Sequence, residues 1–389
     1  MECFNVSGVA READGHPLKK ILFIVSEDWY FVSHRLNLAT EAINKGYEVA
    51  LLSKFTIHRD YLNSLGIKII DWSLERKSKN PLLEIKAIYH IVKAINYYKP
   101  SVVHSVALKP ILYTAISRIF TNIDGMVLAF GGLGFVFHSK TNYAKFIKFL
   151  ITPLLRVLFI GDRVRLIIQN DDDMRLLESF KVIRKDNVRV IRGAGVDVNM
   201  FTPRHRDNKN YLVILPARML WDKGVSDFVA CAKYCIKHKV NARFALVGDQ
   251  DIHNPKCIPK RQLKKWVKTG VVEWWGRSDD IVKVYHAADI VCFPSYHEGL
   301  PKSLLEAASC ELPIVAYNVS GCREVVEDGK NGILVPFRDE GALLSAVLLL
   351  LNDKILRRNM GKCGRKKVLA MFTQEIIFKK TMAVWSEFQ

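Results

Sequence analysis

The sequence predicts an α/β fold of two doubly wound parallel-sheet domains. Short apolar runs alternate with helical segments along both halves of the chain, which is the pattern of parallel strands joined by crossover helices. The length of 389 residues indicates two domains rather than one. A turn-rich passage at residues 193–203 separates the halves and has no helical or strand period.

The first half carries seven candidate strands. Their apolar, β-branched composition is typical of strands buried on both faces of a parallel sheet. They span 21–25, 47–52, 67–70, 101–105, 127–130, 165–168 and 188–191. Helices are predicted at about 32–44, 61–65 and 82–98, and each ends near Gly46, Gly66 or Pro100. Asn170–Asp173 directly precede another helical stretch, so we interpret them as its N-terminal cap rather than as metal ligands.

The second half repeats the alternation. Strands are predicted at 211–215, 242–247, 271–276, 289–293 and 314–317, and helices at about 225–238, at 281–287, from Pro301 and through most of the chain after about 343. The predicted domain boundaries are a polar extension at 1–17, a first domain at 18–195, a linker at 196–210 and a second domain at 211–365. A C-terminal helix at 366–389 is long enough to pack back across the first domain.

The charge of the chain restricts its partners. With 58 basic and 39 acidic residues the formal net charge is +19, which favours an anionic partner: a nucleic acid, a phosphate-bearing substrate or an anionic membrane surface. The stretch 143–160 mixes aromatic and aliphatic residues with Lys145, Lys148 and Arg156. It is interpreted either as a surface helix that contacts an anionic membrane or as a helix that packs on the core.

Cysteine spacing and hydropathy exclude several classes. Eight cysteines occur without a CxxC pair or zinc-finger spacing, so we expect buried free thiols in a reducing compartment and no structural metal. The N-terminus lacks the apolar core of a signal peptide. The longest apolar runs fall short of the roughly 20 residues that span a bilayer. We therefore expect a soluble or peripheral protein.

The stretch 292–315 has the features of a binding site. It is predicted to leave a strand, cross a loop at 295–300 and begin a helix at Pro301, so that backbone N–H groups from Gly299 to Leu304 face an anion. Glu298 on the loop and Glu306 on the helix add two carboxylates for sugar hydroxyls. The structural alternative is a capping box of Ser303 with Glu306 and an i,i+4 pair of Lys302 with Glu306.

Two cations follow the first strand of the second half. Arg218 and Lys223 are separated by a turn and fall at the same sheet edge as Glu298. Two permanent positive charges there can hold a diphosphate from two sides while negative charge develops on it. In the first half, the turn Gly131–Gly134 lacks the third glycine of a dinucleotide fingerprint, and its glycines allow a ligand or the other domain to approach closely.

Taken together, these motifs resemble the retaining glycosyltransferases of family 4. The resemblance rests on Ala217–Gly224, the Gly193–Pro203 linker, the Glu298/Glu306 pair within its Glu-Gly-Leu-Pro context, and Gly321–Pro336. It covers nearly everything from Lys19 onward. It implies the GT-B architecture, in which the second domain binds the nucleotide sugar and the first binds the acceptor. Ser33–Arg35 and Leu108–Pro110 look most like the bacterial branch that extends undecaprenyl-diphosphate-linked sugars.

The resemblance also implies roles for particular residues. Arg218 and Lys223 would hold the donor phosphates together with N–H groups near Leu304. Glu298 would contact the transferred sugar, and Glu306 the ribose. The other implied donor-binding residues are Gly248, Gly299, Leu300, Pro301 and Ser303. On the acceptor side stand Arg35, Gly131 and Gly132. Many family members have a histidine at the turn where this chain has Gly131 and Gly132, so an active-site side chain there is not expected; His104 is a substitute candidate, and its alternative is a structural histidine.

The function expected from the sequence is therefore retaining transfer of a hexose or N-acetylhexosamine from a UDP-sugar to a lipid-diphosphate-linked or glycan acceptor. The UDP-sugar is a co-substrate, and neither a cofactor nor a metal is expected. The expected location is the cytoplasmic face of the plasma membrane, with peripheral attachment. A nucleotide-sugar epimerase of the same fold stays an alternative. So does a basic nucleic-acid-binding protein, although no recognition helix or RNA-binding signature is present in the sequence.

Overall fold

The structure is a computed structural model that describes residues 19–75, 80–133, 137, 141–204, 210–252 and 254–388. Several sequence predictions lie outside these residues: the extension at 1–17, part of the linker at 205–209, Gly134 and Cys3. Within the stretch 143–160, the side chain of Lys145 also lies outside the part of the protein that the structure describes.

A seven-stranded sheet contains the strands of the first half. In chain order they are β1 (Lys20–Glu27), β2 (Glu48–Lys54), β3 (Lys68–Asp71), β4 (Val102–Val106), β5 (Gly125–Ala129), β6 (Val164–Ile168) and β7 (Val188–Val190). The order across the sheet is β3-β2-β1-β4-β5-β6-β7. The strands are parallel in the registers that are defined, for example Phe23 opposite both Leu51 and His104. This is the doubly wound arrangement that the apolar runs predict.

The helices of this half connect the strands. They are α1 (Asp28–His34), α2 (Leu36–Asn44), α3 (Arg59–Ser64), α4 (Pro81–Tyr98), α5 (Leu108–Ser117), α6 (Asn142–Leu158) and α7 (Asp171–Ser179). The single helix predicted at about 32–44 is wrong, because it is two helices that meet at Arg35, whose φ of −132° interrupts the helical backbone. The predicted cap of α7 is confirmed: the Asn170 side chain accepts a hydrogen bond from the Asp173 N–H at 2.7 Å.

A six-stranded parallel sheet contains the strands of the second half. They are β8 (Tyr211–Pro216), β9 (Ala242–Val247), β10 (Glu273–Gly276), β11 (Ile290–Phe293), β12 (Ile314–Tyr317) and β13 (Gly332–Val335). The order across the sheet is β10-β9-β8-β11-β12-β13. Because β8 lies between β9 and β11, the loops that leave these three strands start at the same sheet edge.

The helices of the second half are α8 (Val225–Lys237), α9 (Lys260–Lys268), α10 (Ile281–Ala287), α11 (Lys302–Ser309), α12 (Ser320–Val325), α13 (Glu340–Asn352), α14 (Lys354–Met371) and α15 (Gln374–Ser386). The predicted start of α11 at Pro301 is off by one residue. Pro301 is the N-cap, with the extended ψ of 112°, and the helix begins at Lys302.

By its contacts the chain divides into two compact units. The first takes in the chain to Ala129, Gly161–Arg165 and the last residues from Val384, and the second takes in Phe130–Ile160 and Leu166–Ala383. In the first unit, Trp385 of α15 is fully buried against Phe23 and His104. The domain boundaries drawn from the sequence stay a prediction.

Two further expectations concern the surface and the thiols. Among the described residues, every helix falls short of the length and apolarity needed to cross a bilayer. The seven described cysteines are free thiols, as predicted. Burial is confirmed for Cys231, Cys235, Cys292, Cys310 and Cys322, but it is wrong for Cys363, which is exposed, and Cys257 is half-buried.

Candidate active site

The loops after β8 and β11 meet through an ion pair. Lys223 Nζ donates to Glu298 Oε1, and both side chains are largely buried, with 17% and 11% of their surfaces exposed. An ammonium has three N–H donors and a carboxylate about four acceptor positions, so each partner keeps capacity for a ligand. The pair therefore presents a charged, largely buried surface at the carboxyl edge of the second sheet.

Backbone geometry holds Lys223 next to the β11 loop. Gly224 follows it with φ at +65°, and a Cβ at that position would lie 1.9 Å from the Pro294 carbonyl oxygen. Only glycine fits such an approach in that conformation. The Asp222 carbonyl accepts the Tyr296 N–H at 2.9 Å, which ties the same two loops together one residue earlier. The position of Lys223 is thus fixed by main chain rather than by its side chain alone.

Arg218 occupies a separate part of the same edge. Its Nη1 donates to Asp251 Oδ2 at 2.6 Å, across the loop that leaves β9, and nearly half of the Arg218 side chain is exposed. The adjoining Gly248 packs closely as well, since a Cβ there would lie 2.1 Å from the Ala217 carbonyl oxygen. The structure therefore pairs Lys223 with Glu298 and pairs Arg218 with Asp251.

Glu306 is a buried carboxylate held by two donors. The fully buried Tyr285 hydroxyl donates to Oε2 at 2.9 Å, and Lys302 Nζ lies 3.4 Å from Oε1. Burial raises the pKa of Glu306 above its ordinary value, and the charge of Lys302 and the Tyr285 hydrogen bond oppose that rise. The predicted i,i+4 pair with Lys302 is confirmed.

The alternative of a capping box is wrong. No side chain caps α11, and Ser303 is already its second residue, so it cannot serve as the N-cap. The Ser303 carbonyl instead accepts a second contact from the Tyr285 hydroxyl at 3.1 Å. The Leu304 N–H donates to the Pro301 carbonyl at 3.1 Å, so this N–H points into the first turn of the helix.

The segment Gly299–Leu300 packs closely within the second unit. A Cβ on Gly299 would lie 2.5 Å from the Gly131 carbonyl oxygen and 3.0 Å from Gly132 Cα, so both predicted glycines stand directly against it. The Gly299 carbonyl accepts a hydrogen bond from the buried Asn170 side chain at 2.9 Å. Leu300 contacts Gly193 in the same way, through its side chain.

Asp227 is a buried carboxylate that the sequence analysis did not identify, and it contacts residues next to the site. Asp227 on α8 accepts hydrogen bonds from Tyr317 at 2.8 Å, Ser226 at 2.9 Å and Tyr296 at 3.1 Å. Tyr296 lies two residues before Glu298, so this network orients the Glu298 loop. Its signal in the sequence is that Tyr296 and Tyr317 follow or end neighbouring parallel strands, whose carboxyl ends meet at one edge.

Arg35 and His104 lie in the first unit and are both buried. The Trp385 indole N–H donates to His104 Nδ1 at 3.1 Å, and Arg35 Nη1 donates to the His34 carbonyl at 3.3 Å. Within the described part of the chain, no group of three or more histidine, cysteine or carboxylate side chains is arranged to hold a metal ion.

Comparisons with known proteins match this architecture along most of the chain. The family described as Glycosyl transferase 4-like matches residues 20–171, and the family described as Glycosyl transferases group 1 matches residues 199–367.

Two curated relatives extend the match. The N,N'-diacetylbacillosaminyl-diphospho-undecaprenol alpha-1,3-N-acetylgalactosaminyltransferase of Campylobacter jejuni is 26% identical, over 83% of this chain and 87% of its own. The UDP-Gal:alpha-D-GlcNAc-diphosphoundecaprenol alpha-1,3-galactosyltransferase of Escherichia coli is 24% identical, over 73% and 75% of the two chains.

Solved structures show the same fold. A glycosyltransferase from Rickettsia africae superposes with a TM-score of 0.77 at 18% identity and covers 96% of this chain and 99% of its own. Anabaena HepE, solved in complex with UDP and glucose, gives a TM-score of 0.75 at 17% identity, over 95% and 99% of the two chains. The fold class predicted from the sequence is confirmed.

Proposed function

Because this chain is a glycosyltransferase, built from a glycosyl transferase 4-like domain and a group 1 domain, we propose that it transfers a hexose or N-acetylhexosamine from a UDP-sugar to a lipid-diphosphate-linked acceptor. The Campylobacter and Escherichia relatives are both named for acceptors carried on diphosphoundecaprenol. Anabaena HepE, of the same fold, is described with UDP bound.

The observation that carries the proposal is the Lys223–Glu298 pair. It combines a permanent cation with a carboxylate at the carboxyl edge of a parallel sheet, where ligands of such sheets bind. Lys223 binds the donor diphosphate, and Arg218, on the same loop after β8, adds a second cation. Glu298 accepts hydrogen bonds from hydroxyls of the sugar, and Glu306 accepts them from the ribose.

The reaction follows from this assignment of charges. The bond between the anomeric carbon and the donor phosphate breaks, and its electron pair leaves with UDP. Lys223 and Arg218 stabilise the negative charge that develops there, which is the kind of preorganised electrostatic contribution that dominates many enzymes. The acceptor hydroxyl attacks from the face that UDP leaves and passes its proton to the departing phosphate oxygen. The anomeric configuration is therefore retained.

An acceptor-dependence assay tests the proposal. Purified protein is incubated with radiolabelled UDP-N-acetylglucosamine, UDP-N-acetylgalactosamine, UDP-glucose or UDP-galactose, with and without an undecaprenyl-diphosphate-linked sugar. We expect label in the lipid fraction with at least one donor, and only when the acceptor is present. Conversion of one UDP-sugar into another without acceptor would indicate the epimerase and contradict the proposal.

We also propose that the protein attaches to the anionic inner face of the plasma membrane. The support is an exposed apolar surface on and just after α6, which we call the α6 apolar face. It consists of Phe146, Phe149, Leu154, Val157 and Ile160. Their spacing puts them on one side of the helix. An apolar helix face on a chain of net charge +19 is typical of binding at an anionic lipid surface.

Vesicle flotation tests the attachment. We expect the protein to float with vesicles that contain phosphatidylserine, to float less with phosphatidylcholine alone, and to dissociate partly as salt is raised, because salt screens exposed charges. Phe149→Glu should abolish flotation. Ile236→Glu, at another exposed apolar position on α8, is the matched control and should float like the unaltered protein. Equal flotation of the two variants would contradict the assignment to α6.

A further inference from the structure

The loop that carries Glu298 is contacted by a buried amide from another segment of the second unit. Residues 294–301 lie between β11 and α11 and form neither helix nor strand, so their position depends on contacts with other segments. The Asn170 side chain is fully buried after the end of β6, and its Nδ2 donates to the Gly299 carbonyl at 2.9 Å. Asn170 therefore holds the residue that directly follows Glu298.

The neighbours of Asn170 determine which atom of its amide faces the loop. The Asp173 N–H, which can only donate, lies 2.7 Å from Oδ1. The two groups next to Nδ2 are the Gly299 carbonyl and Asp173 Oδ2, at 2.9 Å and 3.2 Å, and both accept hydrogen bonds. The reverse orientation would turn the amide oxygen toward two acceptors and the NH₂ group toward a donor. The nitrogen therefore faces Gly299.

Helix capping alone does not require an asparagine at this position. Serine and aspartate cap helices about as well as asparagine does. Asn80 has the same capping role at the exposed start of α4, where it accepts the Leu82 N–H at 3.0 Å. An ionised aspartate has no hydrogen to donate, and a serine hydroxyl is too short to reach both partners of Asn170. The donor to Gly299 is therefore what asparagine adds at position 170.

Close backbone contacts restrict the Glu298–Gly299 segment further. A Cβ on Gly321, near the start of α12, would lie 2.7 Å from the carbonyl oxygens of both residues. Ser320 Oγ donates to the Glu298 carbonyl at 3.4 Å. Gly299 is buried, and an unsatisfied buried carbonyl costs free energy, so loss of the Asn170 donor would favour a shift of this segment toward another donor.

Ion pairs hold the start of α7 beside α12. Arg192 bridges Asp171 of α7 and Glu324 of α12, at 3.1 Å and 2.6 Å, and a second ion pair joins the same two helices. Asn170 is the N-cap of α7 and directly precedes Asp171. It therefore approaches Gly299 from a helix that is itself tied to the other segment in contact with the loop.

We propose that Asn170 is a positioning residue for sugar transfer: by holding Gly299, it fixes the Glu298 carboxylate where that group meets the sugar hydroxyls. This inference rests on the function proposed above, which assigns Glu298 to the transferred sugar. Asn170 acts through the main chain of the loop. Its loss should therefore lower the reaction rate and leave the affinity for UDP unchanged, because UDP lacks the sugar and is held by Lys223 and Arg218.

Asn170→Asp tests the proposal because it keeps both the shape of the side chain and the cap of α7. When ionised, the new carboxylate presents only acceptors to Gly299, and when protonated it donates there again. Burial and the repulsion of Asp173 favour the protonated form, while Lys223 neutralises the charge of Glu298 on the contacted loop. A rate that recovers at low pH would show that the hydrogen bond itself is needed.

The measured quantity is the rate of UDP release from the four UDP-sugars named above, with water or the lipid as acceptor. At pH 8, Asn170→Asp should be slower than the unaltered protein by about 10²-fold, the effect of a displacement of about 1 Å. The ratio of the two rates should approach one as pH falls. Asn80→Asp, the same change at the N-cap of α4, is the matched control and should release UDP normally at every pH. Calorimetry should give all three proteins the same UDP affinity.

Two results would overturn the inference: an Asn170→Asp protein as fast as the unaltered one at pH 8, or a loss of rate that stays the same as pH falls. Asn170→Ser, which also caps α7 but adds no charge, should be slower at every pH with an unchanged UDP affinity. A full rate in Asn170→Ser, or a weakened UDP affinity in either variant, would contradict the positioning role.

The two acceptors separate this inference from the proposed function. If UDP release to water shows the pH-dependent loss in Asn170→Asp while no sugar reaches the lipid, the positioning role is supported and the lipid acceptor is contradicted. If sugar reaches the lipid at equal rates in Asn170→Asp and the unaltered protein, the proposed function stands and the positioning role fails. An unaltered protein that releases no UDP from any of the four donors would contradict both.

Discussion

Two buried polar regions of the molecule are built in opposite ways. At the edge of the second sheet each charge is completed by the chain: Lys223 by Glu298, Glu306 by Tyr285 and Lys302, and Asp227 by three hydroxyls. In the first unit, Arg35 and His104 present donors that no described residue accepts. The first arrangement satisfies its buried charges within the chain, whereas the second leaves a free-energy cost for each buried donor without an acceptor.

This difference predicts that mutations in the two regions change the stability of the protein in opposite directions. Removing one partner of a completed pair leaves the other buried and unsatisfied, which destabilises the protein. Removing a buried donor that has no acceptor removes a free-energy cost of the folded state and therefore stabilises the protein. The predictions below test the completed region, from the largest effect on the measured quantity to the smallest.

The largest expected effect is on catalysis at Glu298. Glu298→Gln keeps the shape of the side chain but removes the charge that binds sugar hydroxyls, so the transfer rate should fall about 10²–10³-fold, the range for loss of one preorganised polar contact. The measurement is the initial rate of label transfer to the lipid acceptor. Glu273→Gln, at the exposed Arg243 pair, is the matched control and should transfer normally.

Measurements of stability and activity together distinguish a binding role of the Lys223–Glu298 pair from a merely structural role. Lys223→Met alone should destabilise the protein, because it leaves the Glu298 charge largely buried without its partner. Adding Glu298→Gln to it should restore part of the lost stability but none of the activity. A double variant that regains transfer would show that the pair only maintains the fold.

A smaller effect is expected at the Asp227 network. Tyr317→Phe removes one hydroxyl that donates to a buried carboxylate, so the free energy of unfolding should fall by about 2 kcal/mol, as for hydrogen bonds to charged groups. Urea denaturation measures the change. Tyr234→Phe, on an exposed part of α8, is the control and should be neutral within about 0.5 kcal/mol. Equal effects would mean that the network does not support the Glu298 loop.

The smallest effect is a pH dependence at Glu306. Burial raises its pKa in the folded protein above the ordinary value of 4.5. The folded state therefore keeps a proton over a range in which the unfolded chain has lost it, and the contribution of Glu306 to stability falls as pH rises from about 4.5 through the raised pKa. Glu306→Gln should remove this component, so the variant gains stability relative to the unaltered protein between pH 5 and pH 8. A relative loss with rising pH would contradict the burial argument.

The fold was largely predictable because its strands are continuous apolar runs. The confirmed alternation at 21–25, 47–52 and 211–215 needs no tertiary information, since a parallel strand is buried on both faces. The helix α9 was missed because its sequence KRQLKKWVK has few apolar residues, and only Leu263 and Trp266 are buried. The short elements β13 and α12 were missed because four to six residues carry too little period to identify a helix or strand.

The site was predictable in its position and less so in its pairing. Topology places Lys223 and Glu298 at one edge, since their strands are neighbours and parallel. Which cation meets which carboxylate depends on backbone turns, and the approach of Gly224 to Pro294 decides it. The Tyr285–Glu306 contact joins residues on two helices, and the lack of a described acceptor for Arg35 Nε depends on how the surrounding residues pack. Neither has a local signal in the sequence.

The central claim is that Lys223 and its neighbours hold the donor diphosphate. Calorimetric titration of UDP into the unaltered protein, Lys223→Met and Lys330→Met tests it directly, because Lys330 belongs to an exposed ion pair elsewhere in the second unit. We predict that UDP binds the unaltered protein and Lys330→Met with equal affinity and binds Lys223→Met at least tenfold more weakly. Equal affinity for all three proteins, with Lys223→Met folded, would contradict the claim.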